Sequence, residues 1–269
     1  MGVHFKDKIV VVTGGTAGIG RAMAAHLLQE GAYVAVCARS QQSLYEMRTA
    51  LQSNNLLVIP ADVSIEQDCQ SFINQVIAAW GGIDVLINNA GISMKGDFRD
   101  TGTDVIRKVM DINFMGMVYC TKFALESIIQ RKGSIVGISS IAGYRGLPGR
   151  SGYSASKFAM NGWLEALRTE LYETGVNVMW ASPGFTKSNI RQVALMDGHQ
   201  IQGKSPLNED KLMTPEACAS QILQAIQNRN RTLVMTFQGK RTVFLNKLFP
   251  GLADRLARTF FYKDGQLVK

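Results

Sequence analysis

Cysteine is scarce and scattered in this chain. Four occur in 269 residues, Cys37, Cys69, Cys120 and Cys218, with no CxxC pair and no histidine at metal-ligand spacing. A zinc site and a disulfide framework are therefore not indicated, no metal is expected, and the four read as small core residues of a reducing compartment. No apolar run approaches the length of a membrane span. The opening MGVHFKDK has no long apolar stretch and places Lys6 where a myristoylation signal wants Ser or Thr, so the expectation is a cytoplasmic protein. Acidic residues are in deficit, 21 against 29 basic, for a net charge of +8. That excess lies mostly in the tail, where Phe237 to Lys269 holds seven basic and two acidic residues. Basic and aromatic residues do not interleave as a stacking platform or recognition helix requires, so no nucleic acid is expected as partner. Internal repeats and low-complexity segments are lacking too.

What is present is a chain that is 46% apolar and 19% charged, long enough for one large α/β domain with a sizeable core. Short apolar, β-branched runs, KIVVVT, YVAVCA, LLVIPA, IDVLIN, GSIVGIS and VNVMWA, are each separated by roughly a helix and its loops. Continuous apolar strands mean burial on both faces. With crossover helices between them they predict a single-domain, three-layer α/β fold with a doubly wound parallel sheet. The expected division is a nucleotide-binding and catalytic domain over 1–236, with a loop or lid at about 188–213, and a basic amphipathic extension over 237–269. Gly198, Gly203 and Pro206 break up that loop, and a helix is expected from Thr214-Pro215.

After the first strand comes Thr13-Gly-Gly-Thr-Ala-Gly-Ile-Gly20, followed by the helical pattern RAMAAHLLQEGA. Strand, glycine-rich turn, helix is the context of a dinucleotide site, where glycines let the backbone approach a pyrophosphate held on the helix N-terminus. A carboxylate for a ribose 2′-hydroxyl would stand about twenty residues on. This chain has Cys37-Ala38-Arg39-Ser40 there, no carboxylate to repel a 2′-phosphate, and in Arg39 a planar fork to accept one. NADP(H) is the expected cofactor. The competing reading is that Arg39 only closes a strand end.

A second stretch, Tyr153-Ser-Ala-Ser-Lys157, puts a phenol and an ammonium four apart, on one face of a helix. An adjacent cation favours the phenolate and so could make a proton donor usable at neutral pH. Tyr and Lys four apart also occur on exposed helices, so the pair by itself leaves both readings open.

In their order and spacing these motifs resemble the short-chain dehydrogenases/reductases, from about Phe5 to Thr236. TGGTAGIG, with Gly14, Thr16, Gly18, Ile19 and Gly20, is similar to that family's cofactor turn. Asn88-Asn89-Ala90-Gly91 is similar to its NNAG, and Asp62 with Val63 in ADVS to its adenine contact. Tyr153 and Lys157 match YxxxK, with Ser140 thirteen and Asn113 forty residues before Tyr153. The resemblance implies reversible hydride transfer between a nicotinamide and an alcohol or carbonyl carbon. Tyr153 would carry the proton, Lys157 would lower its pKa and hold the nicotinamide ribose, Ser140 would aim the substrate oxygen, and Asn113 would sit behind Lys157 and hold a relay water. Where the family has PGxVxT, this chain reads Pro183-Gly184-Phe-Thr186-Lys-Ser188, which leaves the carboxamide donor open between two hydroxyls.

Beyond the core, Val243, Phe244, Leu248, Leu252 and Leu256 could form one apolar face of the tail, interrupted at Pro250. Packing on the domain or a sister subunit is preferred to a flap over the pocket or an anchor on anionic membrane. The resemblance implies a homodimer or homotetramer paired through the YxxxK helix, which offers Phe158, Trp163, Leu164 and Leu167. The function expected is NADP(H)-dependent interconversion of a small or lipid-like ketone and a secondary alcohol. The alternative is a non-catalytic NADP(H)-binding regulator on the same fold, disfavoured because a binding module has no need of a phenol beside an ammonium.

Overall fold

A computed structural model describes residues 4–197, 200–203, 208, 210 and 212–268. Seven parallel strands form one sheet: β1 Ile9–Thr13, β2 Tyr33–Ala38, β3 Leu56–Pro60, β4 Val85–Asn88, β5 Ser134–Ile138, β6 Asn177–Ser182 and β7 Thr232–Val234, in the order β3-β2-β1-β4-β5-β6-β7. The helices are α1 Gly18–Gln29, α2 Gln41–Leu51, α3 Glu66–Trp80, α4 Thr103–Met110, α5 Gly116–Gln130, α6 Ser151–Glu170 and α7 Pro215–Gln227, then α8 Phe237–Leu248 and α9 Pro250–Phe261 in the tail. A two-stranded antiparallel hairpin, β8 Tyr262–Lys263 and β9 Gln266–Leu267, closes the chain.

The period-2 geometry of the strands divides the core into two layers. Val11, Ala35, Cys37, Leu86 and Ile135 face α3, α5 and α6, meeting Phe72, Met117 and Leu164. Val10, Val12, Val34, Val36 and Ile87 face α1, α2 and α7, meeting Leu27, Met47 and Ile222. Burial on both faces is why these strands read as unbroken apolar runs. The order reverses direction between β1 and β4, and a crevice opens there beyond the strand C-termini, where sheets of this type bind ligands.

The six strands expected from the sequence are present. The seventh, β7, pairs with β6 through Trp180↔Thr232 and carries only three residues, too few to show a period. Thr214 caps α7, its hydroxyl accepting from Ala217 N at 3.2 Å. In α6, Leu164 and Leu167 are buried in their own core, so the face left for another subunit is not the one those residues offered; Phe158 stays 47% exposed. Of the loop expected at 188–213, residues 198, 199, 204–207, 209 and 211, including Gly198 and Pro206, lie outside the described residues. Part of its described stretch packs inward, while Val193 and Ile201 stay exposed. Ala194 and Leu195 are buried, and Leu195 bridges Met94, with Lys95 N donating to Leu195 O at 2.8 Å.

The four cysteines are buried, as expected of core residues. Burial pushes the Cys37 thiol up to about 12 and Cys218 up to about 11. Cys120 is raised by its hydrogen bond with Cys69 and by burial. An unfolded chain gives up these protons near pH 9 while the folded one keeps them. Their stabilisation is therefore complete below about pH 9 and drains away up to pH 11 and 12, by at most about 1.4 kcal/mol per pH unit for each thiol. Lys157 opposes one of the three, since its folded-state pKa is lowered to about 8. The urea midpoint should hold between pH 8 and 9 and fall beyond; a midpoint that climbs from pH 9 to 10.5 would contradict this balance.

Candidate active site

The glycine-rich turn leaves β1 at Thr13 and enters α1 at Gly18. Gly14 and Gly18 have φ of +63° and +51°, the left-handed region that other residues enter at a cost. A Cβ on Gly14 would meet Ala90 Cα at 2.8 Å, and one on Gly20 would meet Asn89 Nδ2 at 2.5 Å and Gly14 O at 2.6 Å. The N-cap of α1 is Ala17, with no side-chain hydrogen bond and no acidic residue in the first turn. That helix end is therefore a concave anion seat with backbone N–H groups uncapped by any side chain. A pyrophosphate fits it.

Asn89 explains why the turn keeps its shape. Its Nδ2 donates to Thr13 O at 2.9 Å and Gly14 O at 3.1 Å, while the Thr13 hydroxyl accepts from Asn89 N and Ala90 N, both at 3.0 Å. This side chain ties the ends of β1 and β4 together. Nearby, Asp62 accepts from Ser64 N at 3.0 Å and Ser64 Oγ at 2.7 Å, and its other oxygen lies 3.9 Å from Arg39 Nη1. The Arg39 side chain is 57% exposed, at the end of β2.

All the residues read as cofactor-binding line one cleft of about 750 Å³: Gly14, Thr16, Gly18, Ile19, Gly20, Arg39, Asp62, Val63, Asn89, Ala90, Gly91, Pro183, Gly184, Thr186 and Ser188. Thr186 is buried, and its hydroxyl donates to Gly184 O at 3.3 Å. Ser188 lies across the turn, its Cβ 3.6 Å from where a Gly18 Cβ would sit. Of the four reactive positions, Ser140, Tyr153 and Lys157 line the cleft and Asn113 does not.

Helix α6 brings the pair in Tyr153-Ser-Ala-Ser-Lys157 to the sheet edge, and the small residues between them let the helix come close. Ser156, fully buried, donates to Tyr153 O at 2.7 Å and accepts from Asn113 Nδ2 at 3.0 Å. Lys157 is 4% exposed and donates from Nζ to Ile138 O at 2.7 Å, fastening its amine to the end of β5. Burial pushes its pKa down to about 8. The ammonium lies 5.7 Å from the centroid of the Tyr153 ring. Ser140, which caps the short helical turn Ile141–Gly143, accepts from Ala142 N at 3.1 Å, which leaves its own proton to be given into the cleft.

Two details differ from the sequence-based expectation. Burial raises the Tyr153 pKa, and what opposes the rise is Ser140 followed by the cations Arg150 and Arg191. Lys157 is not among those causes. Asn113 sits in a π-turn, Asp111–Met115, with its amide engaged on both sides: Oδ1 accepts from Ile92 N at 2.8 Å, and Nδ2 donates to Ile92 O at 2.9 Å and to Ser156 Oγ. Its side-chain amide braces the strand β4 exit against α6 instead of facing the cleft. Such wide turns recur at functional sites.

The sequence reading passed over Arg150, Arg191, Phe185, Phe260 and Phe261, all lining the same cleft. Arg150 stands one helical turn before Tyr153, so the i−3 spacing was a usable signal. Phe260 and Phe261 come from the far end of the tail. The tail packs on the domain, but not through the expected stripe. Phe244, Leu248, Leu252 and Leu256 are 58%, 53%, 48% and 48% exposed, whereas Gly239, Ala253 and Phe261 are buried. Polar contacts hold it: Asn246 Nδ2 to Tyr144 O at 2.9 Å, Arg145 to Asp254 at 2.6 Å, and Tyr262 to Asp97. Phe260 stacks on Phe185, with centroids 6.3 Å apart.

The sequence profile described as short chain dehydrogenase matches residues 8–197. Dehydrogenase/reductase SDR family member 7B of Mus musculus is 34% identical over 261 residues, 94% of this chain and 81% of that protein. Uncharacterized oxidoreductase YxnA of Bacillus subtilis (strain 168) is 31% identical over 264 residues, 96% of this chain and 73% of that protein. Among solved structures, a short chain dehydrogenase/reductase from Burkholderia phymatum in complex with NAD has the same fold, with a TM-score of 0.84 and 21% identity over 93% of this chain and 96% of that one. With the profile spanning the sheet from β1 to the loop after β6, and the relatives extending over the tail, this chain belongs to the short-chain dehydrogenase family.

Proposed function

We propose that the protein is an NADP(H)-dependent oxidoreductase that interconverts a ketone and a secondary alcohol. Tyr153 is the proton donor and acceptor, Ser140 orients the reacting oxygen, and Lys157 and Asn113 hold the donor in place. One observation carries the reading: a phenol, a serine hydroxyl and a desolvated amine meet in a cleft continuous with the glycine turn. Membership of the family brings a nicotinamide cofactor, which supplies or accepts the hydride when bound. The turn 14–20 would hold its pyrophosphate, Asp62 and Val63 its adenine, Lys157 its ribose, and Thr186 or Ser188 its carboxamide.

Burial keeps Tyr153 protonated at neutral pH. A proton on Oη is ready for a carbonyl oxygen as negative charge develops there. The Ser140 hydroxyl, its acceptor side taken by Ala142 N, donates to the same oxygen. Phe185, Phe260 and Phe261 supply an apolar wall to the cleft. Following NADPH absorbance against ketones, aldehydes, quinones, oxo-steroids and short β-keto thioesters tests the reading. NADPH that binds yet is never oxidised would favour a regulator instead.

The choice of NADP(H) rests on Arg39 at the adenosine end of the cleft, with no carboxylate at the β2 terminus. A charge-assisted fork to a 2′-phosphate is worth about 1.5–3 kcal/mol. Arg39→Ala should therefore weaken NADPH about ten- to hundredfold and leave NADH nearly unchanged. Equal losses for both cofactors, measured by fluorescence titration, would remove the preference.

A further inference from the structure

Arg150 is 7% exposed, at the N-cap of α6, one turn before Tyr153. Its Nη1 donates to Ser93 Oγ at 2.9 Å and Met94 O at 3.0 Å. No carboxylate of the described residues lies within 4.0 Å of it. Arg191, also 7% exposed, donates from Nη2 to Thr186 O at 2.8 Å. Both guanidinium side chains line the cleft and both act on the Tyr153 phenol. Lys95 adds a third cation nearby, pushed down by burial and by Arg150.

A purely structural account of Arg150 falls short. Bracing Ser93 and Met94 engages only the two N–H groups of Nη1, out of five on the side chain, and a neutral amide could do as much. Burying a charge without an opposite one is costly, and such groups are normally paired. The cofactor does not provide the missing anion in the proposed binding mode. Its phosphates would sit on the glycine turn and beside Arg39, against β1 and β2, whereas Arg150 and Arg191 stand on the loops before α6 and after β6, beside the reacting phenol. Hydrogen bonds from a guanidinium fork to a carboxylate or phosphate are the strong, planar kind for which arginine is suited.

We propose that Arg150, with Arg191, forms an oxyanion-binding subsite in the substrate end of the cleft, so that the substrate is an oxo compound, or the corresponding alcohol, bearing a carboxylate or phosphate. This rests on the oxidoreductase reading for the oxo group and on the two arginines for the anion. Arg150 is then a specificity-determining residue. Bound oxyanion would neutralise Arg150 and settle the charge beside Tyr153.

The test uses the full chain loaded with NADP+ and three probes on one six-carbon skeleton, hexanoate, hexyl phosphate and hexanamide, measured by calorimetry. Both anions should bind about ten- to hundredfold more tightly than the amide, as charged hydrogen bonds are worth against neutral ones. Arg150→Gln should erase that ratio. Tighter hexyl phosphate would assign the group as a phosphate ester, tighter hexanoate as a carboxylate. An amide that binds as well as the anions, or a ratio that survives Arg150→Gln, overturns the subsite. The wild-type comparison needs no variant, so it stands even if Arg150→Gln does not fold. Turnover of oxo acids against their methyl esters separates the two readings. Esters reduced as readily as acids would sink the subsite and leave the reductase. No oxo compound reduced, with the anion preference intact, would sink the reductase and leave the subsite.

Discussion

Tyr153→Phe is expected to lower kcat by about two to four orders of magnitude, the usual contribution of a positioned general acid or base. The substitution removes one oxygen and leaves the ring, so packing against Lys157, 5.7 Å from the ring centroid, persists. Among the described residues the Tyr153 hydroxyl has no backbone partner to lose; its neighbours are Ser140, Arg150 and Arg191. Affinity for NADPH should therefore change little, because the turn 14–20 and Arg39 are untouched. Activity that falls less than about tenfold would remove Tyr153 from the proton transfer. Equal loss of cofactor affinity would point to collapse of the cleft. In the variant, Ser140 still donates to the substrate oxygen, so residual turnover should be insensitive to pH near neutrality.

Gly20→Ala should have the second largest effect. Its Cβ would come within 2.6 Å of Gly14 O and 2.5 Å of Asn89 Nδ2, the atoms that knot β1, the turn and β4 together. Something must shift, and overpacking of this kind costs about 1–3 kcal/mol. The shift displaces the turn whose N–H groups would face the pyrophosphate, so NADPH affinity should fall by about two orders of magnitude. Gly162→Ala is the control. That glycine lies in α6 with nothing within 4 Å of its added methyl, so alanine should stabilise by about 0.5–1 kcal/mol and leave binding unchanged. Calorimetric titration and thermal unfolding of the two variants read both effects. Unchanged NADPH affinity in Gly20→Ala would show that the turn does not hold the cofactor.

Asn89 and Asn113 mark the limit of local reading. The resemblance placed both at the site, and the structure has both there as braces whose amides are engaged by backbone: Asn89 by Thr13 and Gly14, Asn113, behind the cleft, by Ile92. A motif shows that a residue type is needed, not which of its atoms are left over. The tail shows the same limit. Its apolar residues at helical spacing suggested the buried face, yet Phe244, Leu248, Leu252 and Leu256 point outward while Phe260 and Phe261 reach the cleft. Periodicity defines a face without naming what it meets.

By itself the sequence determined the parallel sheet, the strand, turn and helix around Gly14 to Gly20, and the pairing of Tyr153 with Lys157. Each follows from short-range rules: apolar runs buried on two faces, backbone freedom at glycine, and the i,i+4 face of a helix. Only the tertiary structure decided what surrounds the phenol. Tyr153 is flanked by Arg150 and Arg191 from loops forty-one residues apart in the chain, in a cleft that Phe260 from the tail also lines. Desolvation and charge depend on distances across the fold, and no local pattern carries those.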